Sequence, residues 1–112
     1  MKVIHFSPKD SEIITEFQSR GAFALPVASG TGQVHVYRLY FEPGGHIGPH
    51  PAGFDQLFTV LSGSGWVAAE NGERVNISGG ECAYISKGEI HSKGTITGMT
   101  AMMIQVDTIN LF

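Results

Sequence analysis

The chain alternates short apolar runs with glycine- and asparagine-rich turns. Over residues 33–42, His35, Tyr37, Leu39 and Phe41 fall on one face of an extended chain, and Val34, Val36, Arg38 and Tyr40 on the other. Bulk on both faces predicts a strand covered on both sides, as in a double-layered sheet. Arg38 breaks the second face and reads as a surface or salt-bridge group, the alternative being a cation turned into a ligand cavity. Further apolar runs predict strands over 1–6, 22–27, 56–62, 66–70, 73–77 and 82–85, around His91, between Gly94 and Gly98, and over 99–106. Pro26 marks its strand as an edge or a bulge, because proline donates nothing to a ladder. Gly30-Thr31-Gly32, Gly63-Ser64-Gly65 and Ser78-Gly79-Gly80 predict turns. Asn71-Gly72 predicts a hairpin closed by a type I′ turn.

One stretch carries helical spacing instead. Ile13, Ile14 and Phe17 lie three and four apart, Ser7 and Pro8 suit an N-cap and first helical position, and Gly21 ends the run. A short N-terminal helical turn is expected there, outside the sheets, as a cover or an oligomer contact. About ten short strands with closely spaced turns predict an all-β sandwich or barrel, one domain over residues 1–112.

Composition supports this reading. The 112 residues are 42% hydrophobic and 15% charged, which is globular rather than disordered. Fifteen glycines suit many tight turns. A net charge of -3 without runs of like charge argues against nucleic acid or an anionic membrane as partner. No stretch reaches the ~18 apolar residues of a membrane span, and the N-terminus lacks the apolar core of a signal peptide. Cys82 is the single cysteine and sits in an apolar strand, so a buried inert thiol and a cytoplasmic location are expected.

The candidate chemistry lies between Pro43 and Gly63, where turn residues, two histidines and a glutamine precede an apolar strand. Gly44, His50, Ala52, Gln56 and Gly63 stand in register with a motif of Gly, His, His, Glu and Gly, with Ala in place of the second His and Gln in place of Glu. Downstream, Gly80, Ser86, Gly88, His91 and Thr95 fall on a motif of Gly, Pro, Gly, His and Asn, matching at both glycines and the histidine. This pair of motifs, spanning about half of the chain, resembles the cupin superfamily. The resemblance implies a double-stranded β-helix, the jelly-roll or cupin barrel, with an interior site holding a divalent metal (iron, manganese, nickel, copper or zinc). The matching positions here supply His50, Gln56 and His91. The resemblance, with the mostly apolar final strand, also implies a homodimer.

The substitutions alter that site. Ala52 removes an imidazole, and Gln56 keeps an oxygen donor but loses its charge. A metal held by two imidazoles and an amide would bind more weakly, with open positions and stronger Lewis acidity. Oxygenation or isomerisation of a small oxygenated or enolisable molecule follows as one reading. The alternative is a non-catalytic module that binds or senses a small molecule without metal, Gln56 and the histidines serving as hydrogen-bonding or acid–base groups. An assembly or storage protein with an inert polar cluster is the third. His46 lies roughly 13 Å from His50 along a straight strand, so a loop or rim histidine is expected unless Gly48-Pro49 bends the chain. Glu89, two residues before His91, reads as an exposed turn carboxylate, the alternatives being an outer-shell partner, a general base or a late ligand. His5 and His35 read as structural. Phe58, Trp66, Tyr40 and Tyr84 are candidate cavity walls.

Overall fold

The computed structural model describes residues 1–112 as ten strands. They are β1 (Lys2–His5), β2 (Glu12–Ile13), β3 (Phe23–Ala24), β4 (Ala28–Phe41), β5 (His46–Pro51), β6 (Asp55–Ala69), β7 (Arg74–Ser78), β8 (Glu81–Ile85), β9 (Ile90–Gly94) and β10 (Met99–Leu111). One layer runs β1-β8-β6-β10-β4, all antiparallel. In the other layer β7 and β9 flank the second half of β6, and β5 pairs with β9. The result is an all-β barrel of two facing sheets. No helix is long and apolar enough to cross a membrane.

The strands are fewer breaks and more length than the glycines suggest. Gly63-Ser64-Gly65 is not a turn but the point where one continuous strand leaves the first sheet for the second. Up to Gly63, β6 pairs with β8 and β10; from Ser64 it pairs with β7 and β9. Glycine is needed because the backbones nearly touch: a Cβ on Gly63 would sit 2.3 Å from the Gly98 carbonyl oxygen, and one on Gly65 2.2 Å from that of Gly94. Gly30-Thr31-Gly32 likewise lies inside β4, at a register shift opposite Val106/Thr108. There Asp107 folds over Gly32 and accepts a hydrogen bond from the Gln33 N–H at 2.7 Å. Bulges bend both long strands without ending them.

Other local expectations change too. Asn71-Gly72 closes the β6–β7 hairpin, but only Gly72 has positive φ, so the turn is not type I′. Asn71 uses its side chain to accept from the Glu73 N–H at 3.0 Å, and Gly72 N–H donates to the Ala69 carbonyl at 2.9 Å. The strand expected between Gly94 and Gly98 is absent; β9 ends at Gly94 and the chain turns. Ser7 caps a 3-10 turn over Pro8–Asp10 as expected. The helical spacing of Ile13, Ile14 and Phe17 is not realised: Glu12–Ile13 pairs with Phe23–Ala24, and a separate 3-10 turn covers Glu16–Gln18. The run is too short to pay the nucleation cost of a helix alone.

Two apolar clusters hold the barrel. Inside, Phe41, Phe58, Val60, Val67, Ile77, Ala83, Met99 and Ala101 fill one end. Phe41 and Phe58 meet edge to face with centroids 6.1 Å apart. Outside the first sheet, Leu57, Cys82, Val106 and Ile109 pack under Phe6, Val27 and Tyr84. Cys82 is buried, and burial raises its thiol above the ordinary range, as an inert cysteine requires.

Candidate functional site

Side chains directly opposed across antiparallel strands share a face, so the register assigns each candidate to the inside or outside. Gln56 lies opposite Gln105, which lies opposite His35, forming one row across β6, β10 and β4. Phe58, Met103 and Tyr37 form the next row. Because Phe58 is interior, both rows face inward. On the second sheet His50 lies opposite His91, and Ile47 opposite Lys93. His91 and Lys93, two apart on β9, point the same way, toward Gln56.

The bulge at Gly48-Pro49 settles the position of His46. Two residues of β5, Gly48 and Pro49, lie between Ile47 and His50, where only Ser92 of β9 lies between Lys93 and His91. Parity therefore flips between His46 and His50. His46 faces outward, beside Trp66 and Arg74, whose guanidinium lies 3.9 Å over the indole. Trp66 is thus an outer-face residue, as are Tyr40 and Tyr84. Of the four aromatic candidates only Phe58 lines the interior.

The structure brings the three predicted site residues to one end of the interior. The His50 and His91 rings lie 4.6 Å apart, inclined at 54°. Each Nδ1–H donates to a carbonyl two residues back, His50 to Gly48 at 2.8 Å and His91 to Glu89 at 3.1 Å. Carbonyls only accept, so each ring, in its neutral form, carries its lone pair on Nε2. His91 Nε2 is buried with no partner. Burial, with the nearby charges of Lys93 and His50, lowers the His91 pKa and keeps it neutral, against the pull of Glu89.

The residue that sequence reasoning missed is Lys93. It is 1% exposed. Its Nζ donates to Gln56 Oε1 at 2.9 Å, lies 4.8 Å above the Phe58 ring and approaches Met103 Sδ at 3.7 Å. No carboxylate lies within ion-pair distance, for the only ion pairs join Met1 to Glu89 and His5 to Glu81. Burial lowers its pKa to about 8. The signal was its spacing: two after His91, on the same face of a strand. Gln105 and Tyr37 join the same end and were equally unmarked.

Glu89 is a partly buried carboxylate and not an exposed turn group. Burial pushes its carboxyl up, but the Met1 amine and the Ser86 N–H, donating at 2.9 Å, outweigh that and hold it below the usual range. Its backbone carbonyl anchors His91, and the Glu89–Ala52 contact, N–H of Ala52 to carbonyl of Glu89 at 3.0 Å, ties the two motifs together. Ala52 is buried at this junction.

Does this set fit a divalent metal? Two adjacent Nε2 lone pairs, one of them orphaned, are suitable donors. The remainder is not. The Gln56 oxygen is engaged by an ammonium, and nowhere does the chain gather three His, Cys, Asp or Glu side chains. A +2 ion drawn to the same oxygen would stand beside that ammonium and be repelled by it. With no carboxylate to offset this, the residues as arranged do not fit a resident divalent metal.

The interior end opens where β4 and β5, consecutive in the chain, do not pair. Tyr37 is 49% exposed there although it faces inward, and His50 is exposed. The larger hollows of the surface lie elsewhere, about 340 Å³ beside Trp66 and Ile96 and about 370 Å³ over Leu57 and Ile104.

No protein-family model matches the sequence, and no curated protein matches it. Solved structures do match. A cupin-like protein from Thermotoga maritima superposes with a TM-score of 0.64 at 16% identity, over 77% of this chain and 79% of that one. An RmlC-like cupin with a double-stranded β-helix fold from Methanocaldococcus jannaschii gives 0.63 at 12% identity, over 86% and 87%. A predicted oxalate decarboxylase from Thermotoga maritima gives 0.56 at 26% identity, over 69% and 65%. With the two motifs meeting inside a barrel of this topology, the chain has the fold of the cupin superfamily.

Proposed function

We propose that the barrel binds a small hydroxylated carboxylic acid without a metal, Lys93 supplying the fixed positive charge. The observation that carries this reading is Lys93 itself, a buried cation whose only close partners are a neutral amide, a sulfur and an aromatic face. Buried charges are ordinarily paired, and a ligand carboxylate would complete the pair. Gln56 orients the ammonium through its amide oxygen. His91 Nε2, unpartnered, accepts a hydrogen bond from a ligand hydroxyl, with His50 at the mouth. The resemblance to a predicted oxalate decarboxylase agrees in ligand class, oxalate being a small organic acid.

A catalytic form of this reading has one specific observation behind it. A neutral imidazole with a free Nε2 beside an ammonium is a base next to an acid. That pair suits proton transfer at a carbon next to a carboxylate or carbonyl, the isomerisation class.

The test is calorimetric titration of dialysed protein with glycolate, lactate and malate, with glycerol as the uncharged control, alongside elemental analysis. Saturable binding of an acid, lost in Lys93→Met, is expected. Near-stoichiometric metal in the native protein, lost in His50→Ala/His91→Ala, would overturn the reading and restore the metal site of His50, Gln56 and His91.

A further inference from the structure

The segment between β1 and β4 stands apart from the barrel. β2 and β3 pair only with each other, and no residue over 7–24 is buried. Ile13 is 59% exposed, Phe17 94% and Phe23 61%. Phe17 and Gln18 also adopt left-handed backbone, with φ of 60° and 58°. That conformation is strained for a bulky residue and persists where the surroundings enforce it. Within one copy nothing packs on Phe17 to do so.

The barrel has the complementary deficit. On the outer face of β4, Val34, Val36 and Tyr40 are 58%, 57% and 73% exposed. Val36 lies opposite Ile104, and Val34 opposite Val106. The apolar strip therefore runs into the hollow of about 370 Å³ floored by Leu57, Ile104 and Val106. Charge is complementary as well. Arg38, on this face, has no carboxylate partner, and neither Glu12 nor Glu16 of the arm has a cation.

The size of the deficit is that of an interface. The accessible surface is 6925 Å², whereas a compact monomer of this mass exposes about 6,000 Å². The excess, roughly 900 Å², is close to the ~800 Å² that each partner contributes to a standard stable interface. The radius of gyration, 15.0 Å, likewise exceeds the about 13 Å of a compact chain of this length.

We propose that two copies of this chain exchange their N-terminal arms, the arm of each (residues 7–24) lying across the outer β4–β10 face of the other. Ile13, Phe17 and Phe23 of one copy cover Val34, Val36 and the hollow of its partner. Because arm and face belong to the same chain, a two-fold axis satisfies both contacts at once and closes the assembly. The partner's face enforces the strained turn at Phe17.

Sedimentation velocity with light scattering tests this. The native chain is expected to be a dimer at micromolar concentration. Phe17→Ser/Phe23→Ser, which alters only exposed arm residues, and Val36→Glu, which alters the face, should each weaken dimerisation by about 100-fold or more. Both should keep a native circular dichroism spectrum. An equal mixture of the two variants retains one intact arm–face contact, from the arm of the Val36→Glu chain to the face of the other. It should associate about ten-fold more tightly than either variant alone. A monomeric native chain, a dimer indifferent to the arm substitutions, or a mixture no tighter than its components would each overturn the exchange.

Discussion

The two ends of the barrel interior are built on opposite principles, and Phe58 is the boundary between them. Its ring meets Phe41 at right angles in a dry cluster with Val60, Val67 and Met99. It also carries the Lys93 ammonium, which reaches on to Gln56. The first end gains stability from every atom it buries. The second gives stability up, leaving an ammonium without a counterion and an imidazole nitrogen without a partner. Buried titratable groups left uncompensated in this way are candidates for function, which is why the proposed ligand is placed at the polar end and not in the larger hollows outside.

Substitutions at the boundary and on either side test this contrast. Phe58→Ala should have the largest effect on folding, about 3–5 kcal/mol, because it opens a cavity in the dry cluster and strips the cover from Lys93. Chemical denaturation measures it, and a loss under 1 kcal/mol would mean that the two ends are not separated by this ring. Lys93→Met should do the reverse, stabilising the fold by about 1–4 kcal/mol while weakening acid binding about 100-fold. A destabilised variant would show that the ammonium is already compensated.

The same lysine predicts a pH dependence. Its folded pKa of about 8 lies below the ordinary lysine value. Between about pH 8 and 10.5 the unfolded chain therefore holds more protons than the folded one, and stability should climb with pH through that window, by roughly 3 kcal/mol. Below about pH 8 the cost is fully present. Lys93→Met should flatten the profile, and an unchanged slope would locate the titration elsewhere.

Gln56→Glu sharpens the contrast from the other side. A carboxylate 2.9 Å from Lys93 would supply the missing counterion from within the protein. Acid binding should fall about ten-fold or more as stability holds or rises. If instead the variant retains acid affinity and acquires tight metal binding, the metal reading gains at the expense of the acid. The smallest effect is expected at the mouth, where His50→Ala should cost little stability and weaken binding by only a few-fold, about 1 kcal/mol.

The fold was legible because barrel-building signals are local. Alternation along 33–42, the asparagine–glycine turn and two motifs in order point to a cupin barrel, and the structure sets His50 against His91 at the end of the interior that also holds Gln56. Strand continuity was not legible. Gly63 and Gly65 read as a turn in isolation, whereas in the structure they are glycines because the Gly98 and Gly94 carbonyls pass where side chains would stand. His46 is the same lesson in parity: its face is decided by a bulge that exists only in the pairing of β5 with β9. Residue types and their order determined the barrel and its candidate donors. What those donors face was decided by tertiary structure, because burial and partnership are properties of distant segments brought together. Lys93, an ordinary lysine in the sequence, becomes the defining charge of the site only when β9 sets it against Gln56 and Phe58, away from water.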